Sequence, residues 1–159
     1  SANAWSDMPP TSNVFTVDGG NTAYQYAEHI AYCFTSIPQY SAVGSYTGRG
    51  STYPYIYLGF KPAWVMIKNV TTSGTHYDWV IIDSARNPFN KGADNVDSKS
   101  FLFANLADQE DKGYTDWLQL DFLSNGFRVN EQSSTLNQSG SKFVYLAFAQ
   151  RPFKYERAL

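Results

Sequence analysis

The sequence predicts an all-β protein, an antiparallel β-sandwich or jelly roll with about nine or ten strands. Three observations lead there. The apolar runs are short and rich in Val, Ile, Tyr, Phe and Trp; Gly, Pro, Asn, Asp and Ser clusters separate them at near-regular spacing; and almost nothing repeats with a helical period.

In chain order, the first strand candidate is 28–35, followed by 43–48, 55–60 and 63–70. The next, 77–84, is joined to 63–70 by the hairpin-length loop "TTSGTH". A short strand is expected at 100–105, and 104–112 is the only place for a helical turn. In "WLQLDFLSNGFRV" Leu118, Leu120 and Phe122 share one face, Gln119 and Asp121 the other, and Ser124-Asn125-Gly126 supplies a tight turn, so this segment reads as a hairpin. The last strand is 143–150, and the polar stretches 85–99 and 131–142 read as connections leaving the sheet at an edge. Phe60, Trp64, Trp79, Phe122, Phe127, Phe143 and Phe148 are assigned to the core, as is Cys33 inside "IAYCF".

Length sets the domain count at one. Residues 1–11 read as a flexible N-terminal segment or a cloning remnant, and 12–159 as a single sandwich in which 12–40 resembles 124–155. Ser12, Asn13, Phe15 and Val17 match Ser124, Asn125, Phe127 and Val129; further on, Phe34 and Pro38 match Phe148 and Pro152. Six identities in register point to a hairpin derived from an adjacent tandem repeat, and to a chain excerpted from a longer polypeptide.

Net charge is −2 and only 16% of residues are charged, against 12 Tyr, 11 Phe and 4 Trp. That balance lacks the basic excess of a nucleic-acid binder. Apolar runs such as "AWVMI" fall far short of a spanning helix, so no membrane insertion is expected. Triad and zinc chemistry are disfavoured as well: the histidines are His29 and His76, there is one cysteine, and G-x-S-x-G and H-E-x-x-H are absent. Asp121, facing outward from a strand, and Asp83, at the end of another, are thin support for a paired-carboxylate hydrolase.

The succession "IAYCF", "GSYTGRGS", "YIYLGFKPAWVMIKN", "WVIIDSARNPFN", "LFAN", "LDFLSNGFRV" and "VYLAFAQRPF" resembles a module of unassigned function that recurs in tail-fibre and other virion-surface proteins of tailed bacteriophages. It covers roughly residues 12 to 153, differing where relatives carry "GNGS" in place of Gly48-Arg49-Gly50-Ser51 and in a longer, more acidic 90–99. The resemblance implies a virion location, in a tail fibre or on another external surface, a structural or receptor-binding role and a lectin-like sandwich of the concanavalin type. It supplies no catalytic motif.

Loop aromatics beside polar donors are what sugar rings stack upon, so Arg49, Tyr53, Tyr55, Tyr114, Asp116 and Trp117 are the candidate ligand-binding residues, with subunit packing as the alternative. Asp83 and Arg86, with Asn87 after them, read as a turn held by an ion pair and an Asn cap. Asp94, Asn95 and Asp97 crowd oxygen donors as a weak Ca²⁺ site would, short of further ligands; no other metal or cofactor is called for. Between Asp83 and Asp116 lie seven of the 14 acids against four bases, while "RPFKYER" is basic, a polarity that suits head-to-tail or trimeric packing as well as ligand binding. The expected function is binding of a host cell-surface glycan or envelope receptor beside other virion segments, as a homotrimer in one arrangement. The alternatives are a non-catalytic spacer or decoration module and a polysaccharide depolymerase.

Overall fold

Beyond residue 40, short apolar runs rich in Val, Ile, Tyr and Phe become strands with one face inward. In the computed structural model, which describes residues 11–17, 28, 30–74, 77–86, 90, 101–108, 119–130 and 134–152, the order is β1 (Ser41–Thr47), β2 (Tyr55–Tyr57), β3 (Pro62–Asn69), β4 (Val80–Asp83), β5 (Phe101–Phe103), β6 (Leu120–Leu123), β7 (Gly126–Val129), α1 (Ser134–Asn137) and β8 (Lys142–Ala149). Two compact units divide the chain, Ser1–Cys33 and Phe34–Leu159. All eight strands found among the described residues belong to the second. They form two antiparallel sheets, β1-β8-β3-β4-β5 and β2-β7-β6.

The fold is an all-β sandwich. One cross-strand row of the larger sheet, Ala42, Ala147, Val65, Ile82 and Phe101, faces the core, where it meets Ile56, Leu120, Phe122, Phe127 and Val129 of the smaller sheet. Phe127 is central: it is fully buried, with the rings of Tyr145 and Tyr46 edge-on at 5.5 and 6.4 Å. Truncating such a residue to Ala typically costs about 4 kcal/mol, transfer and cavity terms together.

The next row of the larger sheet faces the other way and is also apolar: Val43, Leu146, Met66, Ile81 and Leu102. This corrects the assignment of Trp64 and Phe148 to the core. With Val65 and Ala147 fully buried, alternation turns their neighbours outward, where the Trp64 and Phe148 rings meet at 5.6 Å and Tyr40 and Phe34 pack edge-on to Phe148. Trp79 is half-buried ahead of β4, its backbone N–H held by Asn105 Oδ1 at 2.8 Å.

Further expectations change. Residues 30–35 form no strand, and Ile30 and Tyr32 are 79% and 80% exposed. Their sequence twin within β8 is a strand because it lies between β1 and β3 with both edges paired; β-propensity without a ladder partner is weak. Cys33, placed in the core on the strength of that strand, is exposed. The first-unit residues Phe15 and Val17 are likewise exposed where their counterparts Phe127 and Val129 are fully buried. Finally, the connection 131–142 carries α1, whose Leu136 and Asn137 are buried; of the helical turn expected within 104–112, residues 104–108 show none and 109–112 lie outside the described residues.

Among the described residues no helix is long and apolar enough to cross a membrane.

Candidate functional site

The segment that leads into β2 is pinned by α1. Asn137, fully buried, accepts the Arg49 backbone N–H on Oδ1 at 2.8 Å and donates through Nδ2 to the carbonyls of Gly50 and Thr52 at 2.9 and 3.0 Å. Its own carbonyl accepts the Gly50 N–H at 2.9 Å. Gly48 is bonded in both directions, to the Ser141 carbonyl at 2.9 Å and from the Gly140 N–H at 3.0 Å. A Cβ on Gly48 would lie 2.2 Å from the Gln138 carbonyl oxygen, so only glycine allows these two chain segments to approach. Tyr46 adds a bond from its hydroxyl to the Leu136 carbonyl, 2.7 Å. Residues 48–52 are therefore a braced loop.

From that brace the chain enters β2 with Pro54 and Ile56 buried. Period-two geometry sends Tyr53, Tyr55 and Tyr57 to the opposite, solvent side, where they are 48%, 46% and 68% exposed. Across the smaller sheet Tyr55 stands opposite Arg128, and Arg128 opposite Asp121. Arg128 pairs with Asp121 at 2.9 Å, and the Asn130 side-chain amide donates to the same carboxylate oxygen. The Tyr55 hydroxyl donates to Asn125 Oδ1 at 2.6 Å, which fixes its ring over the β6–β7 turn. The Asn125 carbonyl in turn accepts the N–H groups of Leu58 and Gly59 at 2.9 and 3.1 Å. The result is a row of tyrosine rings along an edge strand, bordered by a column of hydrogen-bonding groups on β7 and β6.

Of the residues singled out in the sequence, Tyr53 and Tyr55 lie in this row. Arg49 precedes it in the braced loop, its backbone committed to Asn137 and its side chain exposed. Tyr114, Asp116 and Trp117 lie outside the described residues, as do Asn87, Asp94, Asn95, Asp97, His29, His76 and Leu118. Asp83 ends β4 in the other sheet, and Arg86 lies in the turn that follows. Asp83 Oδ1 accepts the backbone N–H groups of Ala85 and Arg86 at 3.0 and 2.9 Å while Oδ2 pairs with the Arg86 guanidinium, closing the turn after β4. Nearby, the Asn90 side chain both accepts from and donates to the Phe122 backbone, at 2.8 and 2.9 Å, extending the edge of β6.

Sequence reasoning missed Tyr57, Asn125, Arg128, Asn130 and Asn137. The signal for Tyr57 was present in "YPYIY", where tyrosine alternates with Pro54 and Ile56. Arg128 between Phe127 and Val129 carries the same period. Nothing local marks Asn137, whose partners are more than 80 residues away in the chain.

The electrostatics are quiet. Burial pushes the Tyr145 phenol up from its ordinary value, but this ring lies on the core side, against Phe127 and Gly44. Among the described residues no three His, Cys, Asp or Glu side chains come together as a metal site. The face offers aromatic surface, hydroxyls, amides and an ion pair neutralised within it.

No curated protein and no solved structure matches the chain. A family model described as a domain of unknown function, DUF7483, matches residues 1–152, across both compact units. The chain therefore belongs to the DUF7483 family.

Proposed function

We propose that this domain is a binding module that presents the tyrosine row of β2 to a bacterial cell-surface glycan, as part of a phage tail fibre or another exposed virion component. The setting comes from the resemblance to virion-surface modules. The chemistry rests on one observation: three exposed tyrosines at alternate positions, Tyr53 just ahead of the edge strand β2 and Tyr55 and Tyr57 on it, next to Arg128, Asp121, Asn125 and Asn130. Flat aromatic faces take the C–H surface of a sugar ring, and neighbouring amides and ion pairs take its hydroxyls. Weak single sites of this kind gain strength through repetition along a fibre.

A binding role is favoured over hydrolysis because both strand carboxylates are engaged, Asp121 by Arg128 and Asn130, Asp83 by Arg86 and its own turn. The test is a bacterial glycan array probed with labelled protein, alongside the triple variant Tyr53→Ala/Tyr55→Ala/Tyr57→Ala. Glycan binding by the parent, lost in a variant whose circular dichroism is unchanged, is the expected result. Equal binding by both proteins would remove the tyrosine row from the reading, and no glycan binding by either would favour a spacer or decoration module.

A further inference from the structure

We infer that the tyrosine row takes an extended, uncharged polysaccharide lying lengthwise along β2, with successive sugar rings on successive tyrosines. This rests on the glycan-binding reading above and commits it to one class of ligand.

The geometry is linear. Side chains two residues apart on one face of a strand are separated by about 6.6 Å, which sets Tyr55 and Tyr57 that far apart, and Tyr53, exposed just ahead of β2, continues the alternation. Such a spacing is comparable with the advance from ring to ring in an extended pyranose chain. Among the described residues β2 is an edge strand, so no strand pairs with one flank of the line, while the other carries Asn130, Arg128 and Gly126. The described residues at its ends are small or bare. Beyond Tyr53 come Thr52 and Ser51, small and exposed; beyond Tyr57 is Gly59, where a Cβ would sit only 3.6 Å from the Tyr57 hydroxyl, so this ring lies over bare backbone. A line ended this way accepts the middle of a chain and has no need of a terminus.

Charge narrows the class. The ionised groups in the Tyr55 row are Arg128 and Asp121, and they neutralise each other at 2.9 Å. At this pair an acidic polysaccharide would have to displace Asp121 from Arg128 while its carboxylates approached another carboxylate. A hydroxyl-rich neutral chain can hydrogen-bond to the pair as it stands.

The probes are neutral ladders of cello-, manno- and N-acetylchito-oligosaccharides from mono- to hexasaccharide, with oligogalacturonates as the acidic counterpart, titrated against the intact chain by calorimetry. In at least one neutral ladder, affinity should climb through the trisaccharide and then level off. Each of Tyr53→Ala, Tyr55→Ala and Tyr57→Ala should weaken the longer oligomers by about fivefold, as expected for one lost aromatic contact. Tyr57→Phe, which keeps the stacking surface, should bind within about twofold of the parent. Binding should change little with added salt. If monosaccharides bind as tightly as hexasaccharides and the alanine variants abolish that binding, the face binds sugar but the lengthwise inference is wrong. Preference for the acidic ladder, weakening with salt, overturns the neutral class in the same way. If no ladder binds and the triple alanine variant attaches to cells like the parent, both the inference and the reading beneath it fall.

Discussion

Replacing Asn137 with alanine should unfasten the loop that delivers the chain to β2. The side chain makes three hydrogen bonds to the backbone of residues 49–52 from a fully buried position. At a net contribution of about 1 kcal/mol per bond, their loss should destabilise the domain by about 3 kcal/mol. For a chain of this size that corresponds to a fall in Tm of about 6 to 12 °C. Asn137→Asp should be no better tolerated, since it keeps the acceptor for Arg49 but turns a buried carboxylate toward the Gly50 and Thr52 carbonyls. Urea denaturation gives the global number, and hydrogen exchange gives the local one. In Asn137→Ala the Arg49 amide loses its acceptor, whereas the Gly48 amide keeps the Ser141 carbonyl, so exchange should accelerate at Arg49 far more than at Gly48. A variant within about 0.5 kcal/mol of the parent, with unchanged protection at Arg49, would refute the argument that this residue braces the loop.

Gly48→Ala should be severely destabilising, by about 3 kcal/mol, because its Cβ would meet the Gln138 backbone at 2.2 Å. Gly140→Ala, which meets nothing within 4 Å but sits at a φ of 77°, should cost only about 1 kcal/mol, and denaturation midpoints of the two variants test the ordering. Native Cys33 is exposed and should react stoichiometrically with a thiol reagent such as DTNB without denaturant, while Cys33→Ser leaves the midpoint within about 0.5 kcal/mol of the parent. Alkaline pH should destabilise the protein partly through Tyr145, whose phenol burial raises above the ordinary 10.0. Below that value the group is neutral folded or unfolded and contributes no pH dependence; above it the unfolded chain gives up the proton first, so stability falls as pH climbs through the folded value. Urea midpoints for the parent and Tyr145→Phe, compared at about pH 8 and about pH 11, should diverge only at the higher pH, with the parent losing more.

How far the fold could be read from the sequence depended on whether one face or two were apolar. β6 and β7 alternate cleanly, with Leu120 and Phe122 inward and Asp121 outward, and they emerged as a hairpin with the expected facing. In β3 the pattern "AWVMIK" is apolar on both sides, so composition could not say that Val65 and Ile67 are inside while Trp64 and Met66 are outside; register against β8 and β4 decides that. Residues 30–35 illustrate the opposite limit. They carry strand-forming residues and nearly repeat β8, yet pairing is a property of two segments, and the repeat supplied only one. The site divided along the same line. Tyrosine alternation at 53–57 is local and legible, whereas the Asn137 clamp joins residues 85 to 88 positions apart and has no signature until the chain is folded.

Exposed tyrosines on an edge strand are ordinarily a hazard, since an unpaired edge flanked by apolar surface invites pairing with other chains. Here the hazard is contained by the same features that define the proposed site. β2 is only three residues long, Pro54 precedes it without an N–H to offer, and Gly59 follows at a φ of 80°, so the edge has little length on which another strand could zip. The Asn125 turn holds the far end of β2 by two backbone bonds and the Tyr55 ring by a third, while Asn137 holds the loop before it. A short, rigid edge cannot recruit a strand through its backbone, but it can keep three rings fixed in a line. On the proposed reading that rigidity lowers the ordering entropy lost when a ligand settles on the rings, and so lets shallow aromatic contacts yield measurable affinity.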